Sequence, residues 1–392
     1  MSSVNASPYR PALHWLAVGT ACLTFVLVFV GGLVTSHGAG LSVPDWPNSF
    51  GYNMFTFPIS RWVGGIFFEH SHRLIGTVVG LFTAVLAAWL WVVESKKDVR
   101  GPGVSVVVAV VVLLGVRAMP VYLALASLAP IAFVTCLVLH FKDGGRLRWL
   151  AMAALAAVVL QGVLGGVRVV WLKDEIGIFH GMVAQAFFVL VSYLAVMTSR
   201  RYVEGIWADY EPDSVLRWFA LGTTALVFLQ LGLGATMRHE HIGLSIPDFP
   251  LAYGQWLPDT SAAAMERINA DRVANDEMRT TAVQIWVQMA HRFVAVGIAG
   301  AVFVFAWLAR RSVRAVRGWS LVWSVMIVAQ ITLGAWTIWS KKAADIATLH
   351  MALGALTLLV GALLTLRLFL GGRSQDFVLP DAPNPRLMAP VA

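Results

Sequence analysis

Cysteine and charge are both scarce in this chain of 392 residues. Its two cysteines, Cys22 and Cys136, each lie within an apolar run. That excludes a disulfide framework or a thiolate metal site, and both read as small apolar fillers. Asp, Glu, Lys and Arg together make up 13% of the residues, where a soluble domain carries about a quarter. A soluble protein is therefore excluded, and what fills the space is apolar: 58% of residues are hydrophobic, with mean hydropathy +0.73. Runs of about 20 apolar residues separated by short loops read as membrane-spanning helices. The first begins near Leu13 and lacks a convincing cleavage site, so it reads as a span.

Acidic residues are the rarer charges, 21 against 29 basic, which gives a formal net charge of +8. Position decides what that charge means. Lys96, Lys97, Arg100, Lys142, Arg146, Arg148, Arg200, Arg201, Arg310, Arg311, Arg314, Arg317 and Arg373 fall in alternate loops. This is the positive-inside pattern of a membrane protein and not a nucleic-acid surface, and it places both termini in the cytoplasm.

The expected fold is an all-α polytopic membrane protein of about ten helices, near 13–36, 69–93, 103–118, 120–141, 148–171, 176–198, 215–237, 285–309, 319–340 and 345–370. Eight form the core, because the chain repeats itself. GGLVTSHGAGLSVPDWPNSFG (31–51) aligns with GATMRHEHIGLSIPDFPLAYG (234–254), EHSHRLIG (69–76) with QMAHRFVAVG (288–297), and QGVLGG (161–166) with QITLGA (330–335). The offset first grows, because the loop 238–284 is long and charged. It then shrinks by about fifty residues, which marks an inserted helical hairpin at about 101–146. An even number of inserted spans keeps both halves in the same orientation, as in parallel repeats. The expected units are 1–200, with the hairpin, and 201–392.

The repeat carries four histidines in matching places: His72, His180, His291 and His350, each near the start of an apolar helix. An imidazole within a membrane span needs a partner. Two helix-borne imidazoles, His72 with His180 and His291 with His350, form the kind of pair that holds a haem iron. Zinc or copper fits less well, since nearby Cys is absent and carboxylates are few. Arg73 and Arg292 follow two of these histidines and are candidates for a haem propionate, with snorkelling to the headgroups as the plain alternative. The glycines Gly31, Gly32, Gly162, Gly165 and Gly166 permit close approach of helices or of a flat macrocycle. His14 and His140 lie at cytoplasmic helix ends, His37, His239 and His241 in outward loops, and His70 on another helix face than His72. One asymmetry stands out. Glu69 precedes His72 by three residues, and its counterpart before His291 is Gln288. A carboxylate beside one site and an amide beside the other points to two different roles, with proton transfer or charge stabilisation at the first.

Taken together, the GG helix with its loop, the E-x-x-H-R block at Glu69, His72 and Arg73, the Q-G-x-x-G-G helix and the later histidines resemble the haem A synthase family of bacterial and mitochondrial inner membranes. The resemblance implies oxidation of a methyl group of haem O to the formyl group of haem A, for cytochrome oxidase. It implies that His72 and His180 hold the substrate haem with Glu69 as the catalytic carboxylate, and that His291 and His350 hold a resident haem b. It also implies a haem O synthase and an electron donor as partners, in the inner membrane; the helix directions themselves place the four histidines towards the outer face. A homo-oligomer is compatible with the sequence, and no nucleic-acid partner is expected. Some members of the family carry a cysteine pair in the first outward loop, and this chain has none there. The residues alone leave two other readings open: a dihaem b-type electron carrier or quinone-linked cytochrome b, and a transporter built from parallel repeats.

Overall fold

A computed structural model describes residues 9–95, 146–205 and 213–370, with a few positions between 100 and 108. Eight helices in these segments are long and apolar enough to cross a membrane. They are α1 (Pro11–Ser36), α2 (Gly64–Glu94), α3 (Arg146–Trp171), α4 (Asp174–Met197), α5 (Ser214–His239), α6 (Ala282–Ala309), α7 (Arg314–Trp339) and α8 (Ala344–Leu370). At 1.5 Å per residue each is longer than the ~30 Å hydrocarbon core. Helices close all their backbone hydrogen bonds internally, which is why an apolar chain of this kind crosses lipid as helices. The protein is thus an all-α, multi-pass membrane protein. The spans expected at 103–118 and 120–141, and the hairpin they would form, lie outside the described residues apart from four positions at the start of the first, as do Cys136 and His140.

Local sequence sets the helix starts. Pro11 occupies the first turn of α1, where its missing N–H is not needed. The Asp213 carboxylate accepts from the Val215 N–H at the start of α5. Thr281 and Gln284 form a reciprocal capping box on α6. Asp174 and Glu175 sit in the first turn of α4, where acidic groups complement the helix dipole.

The helices close into two rings. α1 packs on α2, α2 on α3, α3 on α4 and α4 back on α1; α5 to α8 repeat the pattern. The first ring is filled by Leu86, Leu90, Trp91, Trp149, Val191 and Leu194, and the second by Val302, Phe305, Trp323, Leu364 and Leu368. Trp91 and Trp149 meet edge to face, as do Phe305 and Trp323. Arg148 Nη1 donates to Ser95 Oγ (3.1 Å), so the end of α2 lies beside the start of α3. The rings join where α1 packs on α8 and α4 on α5 and α8. Here Tyr193 donates to the Ala362 carbonyl (2.8 Å), and a Cβ at Gly32 would collide with Met351, so α1 and α8 approach closely. Outside the rings Val26, Leu229, Val325 and other apolar side chains are exposed, as a lipid-facing surface requires, with Trp15, Trp171, Trp307 and Trp339 near helix ends. Cys22 belongs to this exposed surface.

Three differences from the expected elements bear on function. α2 begins at Gly64 and not at 69, and α6 at Ala282, so His72 and His291 lie more than two turns inside their helices. His239 is the last residue of α5 and is buried, whereas a loop position was expected. The long charged loop contains a surface helix, Ala262–Ala274, whose Ser261 caps it through the Ala264 N–H.

Candidate functional site

All four repeat-related histidines lie toward one end of the two rings, the end that carries the long loops. Each ring sits against a glycine of the preceding helix. A Cβ built on Gly31 would lie 3.0 Å from His72 Cε1, one on Gly165 3.5 Å from His180 Cε1, one on Gly234 3.5 Å from His291 Cε1 and one on Gly334 3.2 Å from His350 Cε1. Glycine is required most at Gly31 and Gly334, where a methyl group would push the imidazole aside. His180 lies within electrostatic reach of His72, and His291 of His350.

The Nδ1 atoms of all four imidazoles are buried and form no hydrogen bond. Three of the rings lie beside a main-chain carbonyl one turn before the glycine: His72 beside Leu27, His180 beside Gln161 and His350 beside Gln330. A carbonyl near one ring nitrogen favours the tautomer that leaves the other nitrogen free to bind a metal. Glycine-floored rings, paired across a bundle and lacking any other partner, fit a flat macrocycle that brings its own equatorial nitrogens to the iron. Among the described residues no group of three His, Cys, Asp or Glu side chains converges on a bare metal position.

Two copies of one loop close this end. Asp45 accepts from the N–H groups of Phe50 (2.6 Å) and Gly51 (2.7 Å), and Asp248 from those of Tyr253 (2.7 Å) and Gly254 (2.8 Å). The carboxylate holds a left-handed pair, φ 51° and 76° in the first loop and 54° and 76° in the second. Glycine takes the second position in both because its φ lies where other residues are strained. Trp46 drops onto α3 at Gly166, and Phe249 packs on Trp339 of α7. His70, fully buried, bonds Ser49 (3.1 Å) and packs between Phe57 and Trp62. It ties the first loop to α2, on a different face from His72 as expected.

Glu69 and Gln288 hold these loops by the same main-chain positions. Glu69 Oε2 accepts from the Val43 N–H (2.9 Å), and Gln288 Oε1 from the Ile246 N–H (2.8 Å). A carboxylate has no donor, whereas an amide has one. Gln288 Nε2 therefore also serves the Ile246 carbonyl (3.2 Å), while the Val43 carbonyl takes its donor from Arg73 Nη2 (3.0 Å). That same Nη2 pairs with Glu69 Oε1 at 2.7 Å. Arg73 Nη1 donates to the carbonyls of Asp45 (2.7 Å) and Asn48 (3.0 Å). Arg292 makes the matching pair, Nη2 to Asp248 (2.6 Å) and Nη1 to Leu251 (2.8 Å), and no bond to Gln288. Both arginines expected beside the haems thus have Nη1 and Nη2 engaged by the loops. Glu69 is only 4% exposed.

A second set of cations was missed in the sequence. Arg168, in the last turn of α3, lies beside Gly40, whose built Cβ would be 2.8 Å from its Nη1, and beside Gly177, one turn before His180. Its charge reaches His72, His180 and Glu69. It makes no hydrogen bond or ion pair among the described residues. Arg238 in α5 crosses between the units, donating to the Gly32 carbonyl (2.5 Å) and to Ser36, and its charge reaches His350. Lys342, in the α7–α8 loop, is pushed below the usual lysine range by burial and then by Arg238. His239 packs on Gly177. The only sequence signal for Arg168 was a charge near the wrong end of an apolar helix.

Comparison with known proteins gives a consistent picture. The family model described as cytochrome oxidase assembly protein matches residues 14–123 and 117–362. Similar proteins include one named heme A synthase from Geobacillus kaustophilus, 24% identical over 356 residues, covering 86% of each chain. One of the same name from Lysinibacillus sphaericus is 24% identical over 368 residues, covering 90% of this chain and 92% of the relative. Another from Bacillus cereus is 21% identical over 356 residues, covering 86% and 87%.

Proposed function

Because this chain belongs to the family of cytochrome oxidase assembly proteins, we propose that it is a haem A synthase, a membrane oxidoreductase that converts the methyl substituent of haem O to the formyl group of haem A. The observation that carries the reading is the pair of glycine-seated histidine couples with Glu69 at one mouth and Gln288 at the other. Two sites built alike, but charged differently, suit two haems with different tasks.

In this reading His72 and His180 bind the substrate haem in the first unit, residues 1–200. His291 and His350 bind a resident haem b in the second, residues 201–392. A bound haem b supplies one-electron redox chemistry. The chain's own contribution is placement and charge. The glycine seats fix the distance of each imidazole from the helix that faces it. Trp46 and Phe249, on loops tied to Glu69–Arg73 and to Gln288, cover α3 and α7 and limit water. Glu69 brings a buried negative charge next to a histidine that binds substrate. There it would take up a proton released at the substrate methyl group or stabilise positive charge developing beside it. Arg73 holds that carboxylate in place. Arg168 presents an unpaired guanidinium to the first pocket and is assigned the substrate propionates, while Arg73 and Arg292 anchor the loops.

The positive-inside distribution orients the histidine end towards the outer face of the inner membrane, with both termini cytoplasmic. A haem O synthase supplies the substrate, and a separate donor or acceptor exchanges electrons with the resident haem. The test is chromatography of extracted haems from a haem-A-free bacterium that makes this protein with a haem O synthase. Haem A or its hydroxylated precursor is expected. Haem O alone, beside a purified protein with two low-spin b haems, would favour the dihaem electron carrier.

A further inference from the structure

Three of the four histidines are gripped from the preceding helix by a glutamine. Gln161 Nε2 donates to the main-chain carbonyl of His180 (3.0 Å), Gln230 Nε2 to that of His291 (2.8 Å) and Gln330 Nε2 to that of His350 (2.8 Å). In each case the glycine that floors the imidazole lies four residues further along the same helix: Gly165, Gly234 and Gly334. Residues four apart share a helix face, so one face of each helix holds both ends of the histidine. The glutamine fixes its backbone and the glycine seats its ring.

The fourth helix breaks the pattern. Four residues before Gly31 stands Leu27, in the place that Gln230 holds in the repeat. Its side chain occupies the corresponding space. Gly76, one turn after His72, would place a Cβ 3.9 Å from Leu27 Cδ1, and Gly354, one turn after His350, would place one 3.1 Å from Gln330 Nε2. Leu27 thus shows that an apolar side chain fills this space. Glutamine there carries a penalty, since the Oε1 atoms of Gln230 and Gln330 are buried without a partner among the described residues. What glutamine adds over leucine is the donor to the histidine carbonyl.

We propose that Gln161, Gln230 and Gln330 are positioning residues that clamp three haem-binding histidines, and that Leu27 leaves His72 as the releasable ligand. This rests on the haem reading given above and deepens it. A resident haem has to stay, and both histidines of the second unit are clamped. A substrate haem has to enter and its product to leave, and the first unit has one clamped ligand, His180, and one free, His72. The unclamped histidine is also the one beside Glu69.

The test uses purified full-length protein and three variants, Gln230→Met, Gln330→Met and Leu27→Gln. Methionine keeps the length of the side chain and removes the donor. Haem release to excess apomyoglobin is followed optically, and the low-spin electron paramagnetic resonance spectrum reports ligand orientation. Loss of one net hydrogen bond is expected to speed release of the resident haem roughly fivefold in each methionine variant, with a shifted low-spin signal. Leu27→Gln is expected to leave the resident haem unchanged, to slow release of haem A from the first unit by a similar factor, and to lower turnover. Release within twofold of wild type and an unchanged spectrum in both methionine variants would overturn the clamp. Release of haem A from Leu27→Gln at the wild-type rate would overturn the releasable ligand, and it decides alone if the methionine variants do not accumulate. A wild-type protein that binds no haem would overturn the haem reading itself, and the clamp with it.

Discussion

At the mouth of the first unit the main chain of Val43 is held by a carboxylate and an arginine; at the mouth of the second, that of Ile246 is held by one amide. The loops are otherwise close copies, down to the aspartate that holds the turn and the left-handed pair that follows. A neutral amide does the mechanical work with fewer parts. Keeping a buried carboxylate instead demands a cation, and Arg73 is drawn into the pair while Arg292 is not. A buried ion pair is rarely the stabler choice. The difference therefore points to chemistry: the first unit keeps a carboxylate three residues before His72 on the same helix, and the second carries an amide at the matching place.

The comparison breaks most visibly at the ligands. His291→Ala is expected to strip the resident haem b, while His72→Ala keeps it and stops product formation. Loss of a mere supporting group costs about 10–100-fold in metal affinity, and loss of a ligand costs more. The pyridine haemochrome content of the two purified variants separates them, and equal haem content in both would mean the units are not divided in this way. A smaller effect is expected from Gln288→Glu. The new carboxylate sits at a position 1% exposed, leaves the Ile246 carbonyl without a donor and meets an Arg292 already bound to the Asp248 and Leu251 carbonyls. A penalty of about 1–3 kcal/mol is expected, read as a lower Tm. An unchanged Tm would show that Arg292 swings over as Arg73 does. The smallest effects belong to the glycine seats. Gly31→Ala puts a methyl 3.0 Å from His72 and Gly234→Ala one 3.5 Å from His291. The first is expected to lower turnover several-fold by displacing the ring, and the second, an ordinary contact, to leave the haem b spectrum nearly unchanged.

Much of this was legible in the chain because periodicity and repetition are properties of sequence. The eight core helices followed from apolar length, and the pairing of histidines from the repeat. What lay outside sequence was the direction and occupancy of side chains. Arg73 and Arg292 looked like cations beside haem pockets, yet five loop carbonyls take their Nη1 and Nη2 donors at main-chain positions no motif announces. Arg168 carries no motif, and only its packing beside Gly40 and Gly177 brings its charge within reach of His72 and His180. His239 was read as loop, but it ends α5 and packs on Gly177 of α4, a contact that only the folded chain supplies. The glutamine clamp was present as letters in QGVLGG and QITLGA. Its meaning depends on which carbonyl of the next helix comes within reach.

The central claim is that the charge of Glu69, and not its bonds to the loop, distinguishes the catalytic unit. Gln288 shows that an amide in this place still holds the loop, so Glu69→Gln removes the charge with little damage to the fold. The decisive measurement is the haem content of a haem-A-free bacterium that makes a haem O synthase with either wild-type protein or Glu69→Gln. The expected result is haem A from the wild type, and from the variant haem O with haem A lowered about 100-fold or more, while the purified variant keeps its haem b. Normal haem A from Glu69→Gln would contradict the account and reduce Glu69 to a loop latch.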